Sequence, residues 1–308
     1  MVLDPQAQML CDAMKAAPEI ELTNATLAEQ RAGFGMLLLM AGEPEPVHAI
    51  EHADADGVPV TIYRPSDVPN LPVLFWIHGG GWTIGSVEQY DPIIRQVANS
   101  TGAIVVSPEY RLAPEHPFPA ALDDCWRALN WTLTFAPTFG GDPGRVAVGG
   151  DSAGGNLSAV LAIQARDAGK NLALQVLVYP VTDCDLNTSS YRENGEGYVL
   201  DERQMRWFFT CYLGENGDPG DWRISPLRAR NLAGVAPALV ITGGYDPLRD
   251  EGESYALKLA EAGVDVQKYR YDGMVHAFFG LSGAFDASKD AMQRVGIAVK
   301  RAFGTLDT

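Results

Sequence analysis

From about residue 47 the chain repeats one pattern: a short, unbroken apolar run rich in β-branched residues, then a longer stretch whose apolar positions recur every three or four residues. The first kind of run suits a strand buried on both faces, and the second suits a helix lying on a sheet. Strands are expected at 47–53, 58–64, 73–78, 103–107, 146–149, 174–179, 238–242 and 265–271. Between them, "FPAALDDCWRALNWTL" and "SAGGNLSAVLAIQARDAG" carry helical spacing, the latter ending at Gly169. The alternation predicts an α/β fold with a mostly parallel sheet covered on both faces.

Two regions depart from it. In residues 1 to about 45, Asp4 is an N-cap followed by Pro5 at the first helical position, and Met9, Leu10, Ala13, Met14 and Ala17 form one apolar face before Pro18 stops the helix. A second helix is expected to open on a capping box of Thr26 and Glu29. In residues 185–224, "DERQMRWFFTCYLG" offers Asp201 and Gln204 as a box, an aromatic-rich face, and Gly214 as the stop. These regions read either as two halves of a helical cap or as ordinary packing helices. The cap reading divides the chain into a first cap segment, 1–45, core 46–184, a cap insertion, 185–224, and core continued over 225–308.

Composition narrows the partners. A chain of 308 residues, 46% hydrophobic and 20% charged, can bury a sizeable core. Its net charge of −16 and pI near 4.6 oppose nucleic acid and anionic lipid, both of which attract clustered Lys and Arg. The N-terminal residues lack a basic stretch leading into a long apolar one, and the nearby run "MLLLMA" falls far short of the roughly 20 residues of a membrane span. Cys11, Cys125, Cys184 and Cys211 form no C-x-x-C pair, as expected of reduced thiols in a soluble, cytoplasmic protein.

The chemistry lies in two glycine clusters. Gly150-Asp151-Ser152-Ala153-Gly154 is a G-x-S-x-G between an expected strand and an expected helix, a context in which a sharp turn projects the serine hydroxyl. The alternative is a glycine-rich loop that turns the chain or binds phosphate. "HGGGWTIGS", from His78 to Ser86, follows a buried strand. A serine attacking a carbonyl generates an oxyanion, and backbone amides reach it best where no Cβ intervenes. The amides of Gly80, Gly81 and Ala153 are the expected donors. Such elbows have chain order Ser, acid, His, and of the five histidines only His276 follows Ser152. Asp246 and Asp183 each lie just beyond a strand; Asp246 is favoured because its strand is the nearer to His276. It could equally cap the following helix.

Together "HGGGW", "YRLAPEHPFPAALDD", "GDSAGGN", "YDPLRDEG" and "GMVHAF" resemble the hormone-sensitive lipase family of α/β-hydrolases, in particular its bacterial esterases. The resemblance runs from about residue 45 to the C-terminus. It implies an eight-stranded sheet, a cap built from the N-terminal segment plus an insertion after the sixth strand, and a serine carboxylesterase acting on short- to medium-chain esters. It also implies Ser152 as nucleophile, His276 as base, Asp246 as the acid orienting it, and Gly80, Gly81 and Ala153 as the oxyanion hole. The expected partner is a small ester, with no metal or organic cofactor; a homodimer is common among similar esterases. Trp82, Tyr198, Trp207, Phe208, Leu248, Phe278 and Phe279 are candidate pocket walls.

Three rival readings remain. His48-Ala49-Ile50-Glu51-His52 matches the H-x-x-E-H of a zinc-peptidase class, but the histidines stand about 6 Å apart only on a helix and about 13 Å apart on extended chain. A binding protein that has lost catalysis is the second, disfavoured by the complete triad. Amide, lactone or thioester hydrolysis is the third, since the same groups serve all of these bonds.

Overall fold

The computed structural model describes residues 2–17, 21–215 and 217–306. Each expected apolar run from residue 47 onward becomes a strand: β1 (Ala49–Asp54), β2 (Pro59–Arg64), β3 (Leu71–Ile77), β4 (Ile104–Pro108), β5 (Gly141–Asp151), β6 (Gln175–Val178), β7 (Ala238–Tyr245) and β8 (Val266–Val275). They form one eight-stranded sheet in the order β1-β2-β4-β3-β5-β6-β7-β8. β2 is antiparallel to β1 and β4, and the remaining pairings are parallel.

The two-residue period of β3 explains why the sheet is covered on both sides. Val73, Phe75 and Ile77 point into one apolar layer, shared with Leu122 and Leu129 of α4 (Ala120–Phe135), Leu157 and Leu161 of α5 (Ala153–Asp167), and Leu259 of α8 (Arg249–Glu261). Leu74 and Trp76 point into the other, with Ile94 and Val97 of α3 (Val87–Thr101) and Val295 and Val299 of α9 (Asp286–Ala302). A strand with two buried faces has no polar positions to spare, which is why its sequence is continuously apolar.

Helix ends follow local chemistry in most places. Asp4 Oδ1 accepts from the Gln6 amide at the start of α1 (Pro5–Ala16), Asp201 and Gln204 form the expected reciprocal box on α7 (Glu202–Leu213), and Gly214 ends α7 at φ +58°. Pro18, the expected stop of α1, lies outside the described residues. The expected box at Thr26 is corrected. α2 (Leu27–Leu38) begins where expected, but the Thr26 hydroxyl turns back to accept from the Thr23 amide and donate to the Thr23 carbonyl, so the box spans Thr23 and Thr26 around a single 3₁₀ turn. α6 (Ser189–Asn194) completes the helices flanking the site.

The "YRLAPEHPFPAALDD" stretch is held by one ion pair. Arg111 binds Asp124 through two side-chain bonds of 2.7 Å, and its amide donates to the same carboxylate. Asp124 is buried, so the bidentate pair fixes the loop after β4 onto α4. Among the described residues no helix is long and apolar enough to cross a membrane.

Candidate active site

Four parallel strands end on the same side of the sheet and deliver the candidate residues. His78 follows β3, Ser152 follows β5, Asp246 follows β7 and His276 follows β8. Carboxyl ends of parallel strands are where open α/β sheets place ligands, because the connecting loops there diverge into a crevice.

Ser152 occupies the sharpest of these connections, at φ 55° and ψ −118°. A non-glycine residue held there stores about 1–3 kcal/mol of strain. Its amide bonds the Val178 carbonyl at 2.9 Å and its own carbonyl receives the Asn156 amide at 2.9 Å, so β6 and α5 hold the turn from both sides. The glycine two residues later makes the turn possible. A β-carbon on Gly154 would lie 2.0 Å from the Ile77 carbonyl oxygen, so any side chain there forces α5 away from β3. Gly154→Ala is therefore expected to destabilise the fold by about 3 kcal/mol, at the upper end for an overpacked core, in a urea unfolding titration.

The three side chains meet as a relay. His276 Nδ1 donates to Asp246 Oδ2 at 2.8 Å, and His276 Nε2 stands 3.0 Å from Ser152 Oγ. With the Nδ1 proton given to the carboxylate, the neutral ring turns its bare Nε2 toward the Ser152 hydroxyl, the tautomer that can take a proton. Asp246 is fully buried, and its second oxygen accepts from the Leu248 amide at 2.9 Å. Asp246 therefore meets His276 through one oxygen and caps the following turn through the other. Asp183, the alternative, instead pairs with Arg228 at 2.6 Å and is not brought to His276.

The HGGG loop aims its amides by anchoring the opposite side of each peptide. In a trans peptide the C=O and N–H point in opposite directions, so fixing one aims the other. The Gly79 carbonyl, which shares a peptide with the Gly80 amide, accepts from His78 Nδ1 at 2.7 Å. The Gly80 carbonyl, which shares a peptide with the Gly81 amide, accepts from Thr83 and Ile84 at 3.0 and 2.9 Å. Among the described residues neither the Gly80 nor the Gly81 amide meets an acceptor, and the Ala153 amide, first in α5, has no preceding carbonyl to bond. Gly80 adopts φ +112° with a hypothetical Cβ only 2.1 Å from the Ile84 carbonyl oxygen, which explains why glycine stands there. His78 itself is no base: burial pushes its imidazole down to about 4, leaving it neutral and committed to the loop.

Above Ser152 lies a cavity of about 440 Å³, within the range of roughly 300–1,000 Å³ for small-molecule sites. Its floor includes Gly80, Gly81, Ser152 and His276, and its walls come from α1 (Leu10, Met14), α2 (Phe34, Leu37) and α7 (Met205, Phe208). Of the seven candidate wall residues only Phe208 and Phe279 line it. Trp82 is stacked on Tyr212 with ring centroids 4.2 Å apart, and Leu248 and Phe278 are core. Tyr198 packs on Tyr245, and Trp207 packs on Phe208. The walls that sequence reasoning missed include Leu10 and Met14 of α1 and Phe34 and Leu37 of α2, and the signal for the first two was the apolar face of α1. Arg31 of α2 ties this wall to the floor, meeting Glu115 through two bonds of 2.8 Å and the Thr83 carbonyl of the glycine loop at 3.0 Å.

The zinc-type spacing does not survive folding. His52 lies in β1, not on a helix, with its Nδ1 3.2 Å from Thr61 Oγ1 on the neighbouring strand.

Comparison with known proteins agrees with this geometry. A family model described as the alpha/beta hydrolase fold matches residues 74–280. Carboxylesterase NlhH of Mycobacterium tuberculosis is 40% identical over 97% of this chain and 96% of that protein. Carboxylic ester hydrolase LipN of the same organism is 47% identical over 74% of this chain, and the match spans 62% of its length. An ester hydrolase from the metagenome of Lake Arreo, solved with a bipyridine phosphonate derivative, superposes with a TM-score of 0.93 at 38% identity, covering 99% of this chain and 100% of that one. This chain belongs to the α/β-hydrolase fold family, in its hormone-sensitive-lipase-like branch.

Proposed function

We propose that the protein is a serine carboxylesterase that hydrolyses short- to medium-chain carboxylic esters through a covalent acyl-enzyme. The observation that carries this is His276 bridging Ser152 Oγ at 3.0 Å and Asp246 at 2.8 Å on the floor of an apolar cavity. Ser152 Oγ attacks the ester carbonyl as its proton passes to His276 Nε2, and the amides of Gly80, Gly81 and Ala153 hold the oxyanion. Collapse of the tetrahedral adduct breaks the ester C–O bond, and the His276 proton leaves on the alcohol. Water then gives a proton to His276 and attacks the acyl carbon; the second adduct releases the carboxylic acid and restores Ser152. Asp246 keeps the imidazole in the required tautomer and balances its charge in both halves.

Helices α1, α2, α6 and α7 act in this reading as one cap, the first two from residues 1–45 and the others from 185–224, which shapes the acyl pocket and keeps water from the adduct. The four free cysteines support action in the reducing cytoplasm, and a homodimer is its expected assembly.

The test uses p-nitrophenyl butyrate and a p-nitrophenyl alkylphosphonate. The butyrate is expected to turn over. The phosphonate is expected to release one equivalent of nitrophenol per chain, stop butyrate turnover, and leave its mass on the peptide containing Ser152. No turnover, or a label on another residue, overturns the reading.

A further inference from the structure

Asp151 stands immediately before Ser152 and is buried, with 6% of its surface exposed, yet the bonds joining Ser152, His276 and Asp246 do not use it. Burying a carboxylate is costly unless pairing and hydrogen bonds compensate it. Burial pushes Asp151 up to about 6, and one of its oxygens, Oδ1, meets no partner.

Its other oxygen is engaged. Tyr90 of α3 donates its hydroxyl to Asp151 Oδ2 at 2.9 Å, and the same phenolic oxygen accepts from the Gly79 amide at 3.2 Å. The contact is as close as the backbone permits: a β-carbon on Gly79 would lie 2.4 Å from Asp151 Oδ2 and 3.0 Å from the Tyr90 hydroxyl. Gly79 has no positive φ to explain its identity, so this approach is the reason for a glycine at the first of the three positions.

We infer that Tyr90 and Asp151 are a positioning pair, a clamp that sets the spacing between the nucleophile and the amides that bind its oxyanion. This rests on the esterase reading above. The clamp has Asp151 at one end, covalently joined to Ser152, and at the other Gly79, covalently joined to Gly80. Tyr90 spans them from a third element, so the elbow and the glycine loop cannot shift independently while both bonds persist. A bond to a charged acceptor is shorter and stronger than a neutral one, which is what the carboxylate adds. The Tyr90 ring also rests against His78 at 5.3 Å, and His78 anchors the Gly79 carbonyl, so both sides of Gly79 are held by one packed group. Preorganised donors work only if they stand within a fraction of an ångström of where the oxyanion forms. Both side chains border the cavity above Ser152, and the part assigned to the pair is to hold the glycine loop rather than to bond the ester or its oxyanion.

The experiment compares Tyr90→Phe, Asp151→Asn and their double variant with the unchanged protein on p-nitrophenyl butyrate, with butylboronic acid as a tetrahedral, anionic inhibitor. Tyr90→Phe removes one oxygen and keeps the ring. It is expected to lower kcat about tenfold with KM within about twofold, and to weaken boronate inhibition by a similar factor, because the anionic tetrahedral species leans on the amides far more than the planar ester does. The double variant is expected to fall no further than the more impaired single variant, as for two parts of one device. An unchanged kcat and boronate affinity in Tyr90→Phe, a loss confined to KM, or a double variant equal to the product of the singles overturns the clamp. Ser152→Ala, run alongside, separates the two failures: an inactive Ser152→Ala with an unimpaired Tyr90→Phe sinks the clamp alone, whereas an active Ser152→Ala sinks the esterase reading and the clamp with it.

Discussion

Ser152→Ala is expected to lower kcat on p-nitrophenyl butyrate by about 10⁶-fold, the scale seen when a serine nucleophile is removed from such a triad. The fold should be indifferent to the change. The Ser152 backbone bonds to Val178 and Asn156 do not involve the hydroxyl, whose partner is His276. Alanine keeps the same β-carbon, so the strain at φ 55° is neither relieved nor increased. A melting temperature within a few degrees of the unchanged protein would therefore accompany the loss, marking it as chemical. Some catalysis over water should survive, roughly 10³–10⁴-fold, because the Gly80, Gly81 and Ala153 amides still polarise a bound carbonyl. Turnover retained at more than about 1% would show that another group attacks the ester, and the roles given to His276 and Asp246 would fall with it.

The parts of this machinery that could be read from sequence are those fixed by local pattern or chain order. Continuous apolar runs mark strands with two buried faces, so β3 and β4 were legible to within two residues and β7 at its start, though β7 runs on through two glycines to Tyr245. β8 extends to Val275, beyond the expected end at 271, because Asp272 and Gly273, residues that ordinarily mark a turn, interrupt the strand pattern before the buried Met274 and Val275. The choice of Asp246 over Asp183 has a simple structural basis. β7 is hydrogen-bonded directly to β8, which carries His276, whereas Asp183 follows β6, one strand further away.

What sequence could not reveal was contact between residues without a shared periodicity. Tyr90 and Asp151 are 61 positions apart and meet only because the first turn of α3 brings the Tyr90 hydroxyl to the residues that end β5 and follow β3. Nothing in the α3 sequence distinguishes this tyrosine from a core aromatic. Most of the candidate pocket walls failed for another reason: Trp82, Leu248 and Phe278 are consumed by the core, while Leu10 and Met14 of α1 and Phe34 and Leu37 of α2 frame the cavity beside Phe208 and Phe279. The Thr26 box failed because the Thr23 amide, three residues earlier, competes for the same hydroxyl.

Asp246→Asn should cost about 10⁴-fold in kcat, roughly a hundredfold less than losing the nucleophile, although it replaces a single heavy atom in a residue that never touches substrate. The reason lies in the second oxygen. Asp246 Oδ1 accepts from the Leu248 amide at 2.9 Å, and that N–H will hold the oxygen of the new carboxamide. The NH₂ group must then face His276 Nδ1, now 2.8 Å from a donor instead of an acceptor. Two N–H groups cannot share that gap, so the imidazole proton moves to Nε2. From there it points at Ser152 Oγ, 3.0 Å away, and the ring can no longer receive the serine proton. The flipped carboxamide restores the tautomer only by setting its NH₂ against the Leu248 N–H, a buried clash of donors. A fall in kcat of about 10⁴-fold is expected, with KM little changed and the melting temperature preserved. Asp246→Ala removes the acceptor without imposing the wrong tautomer, and should therefore remain more active than Asp246→Asn despite the larger truncation. The opposite ranking in kcat would mean that the carboxylate acts mainly through its charge, and that the Leu248 amide does not dictate which nitrogen of His276 carries the proton.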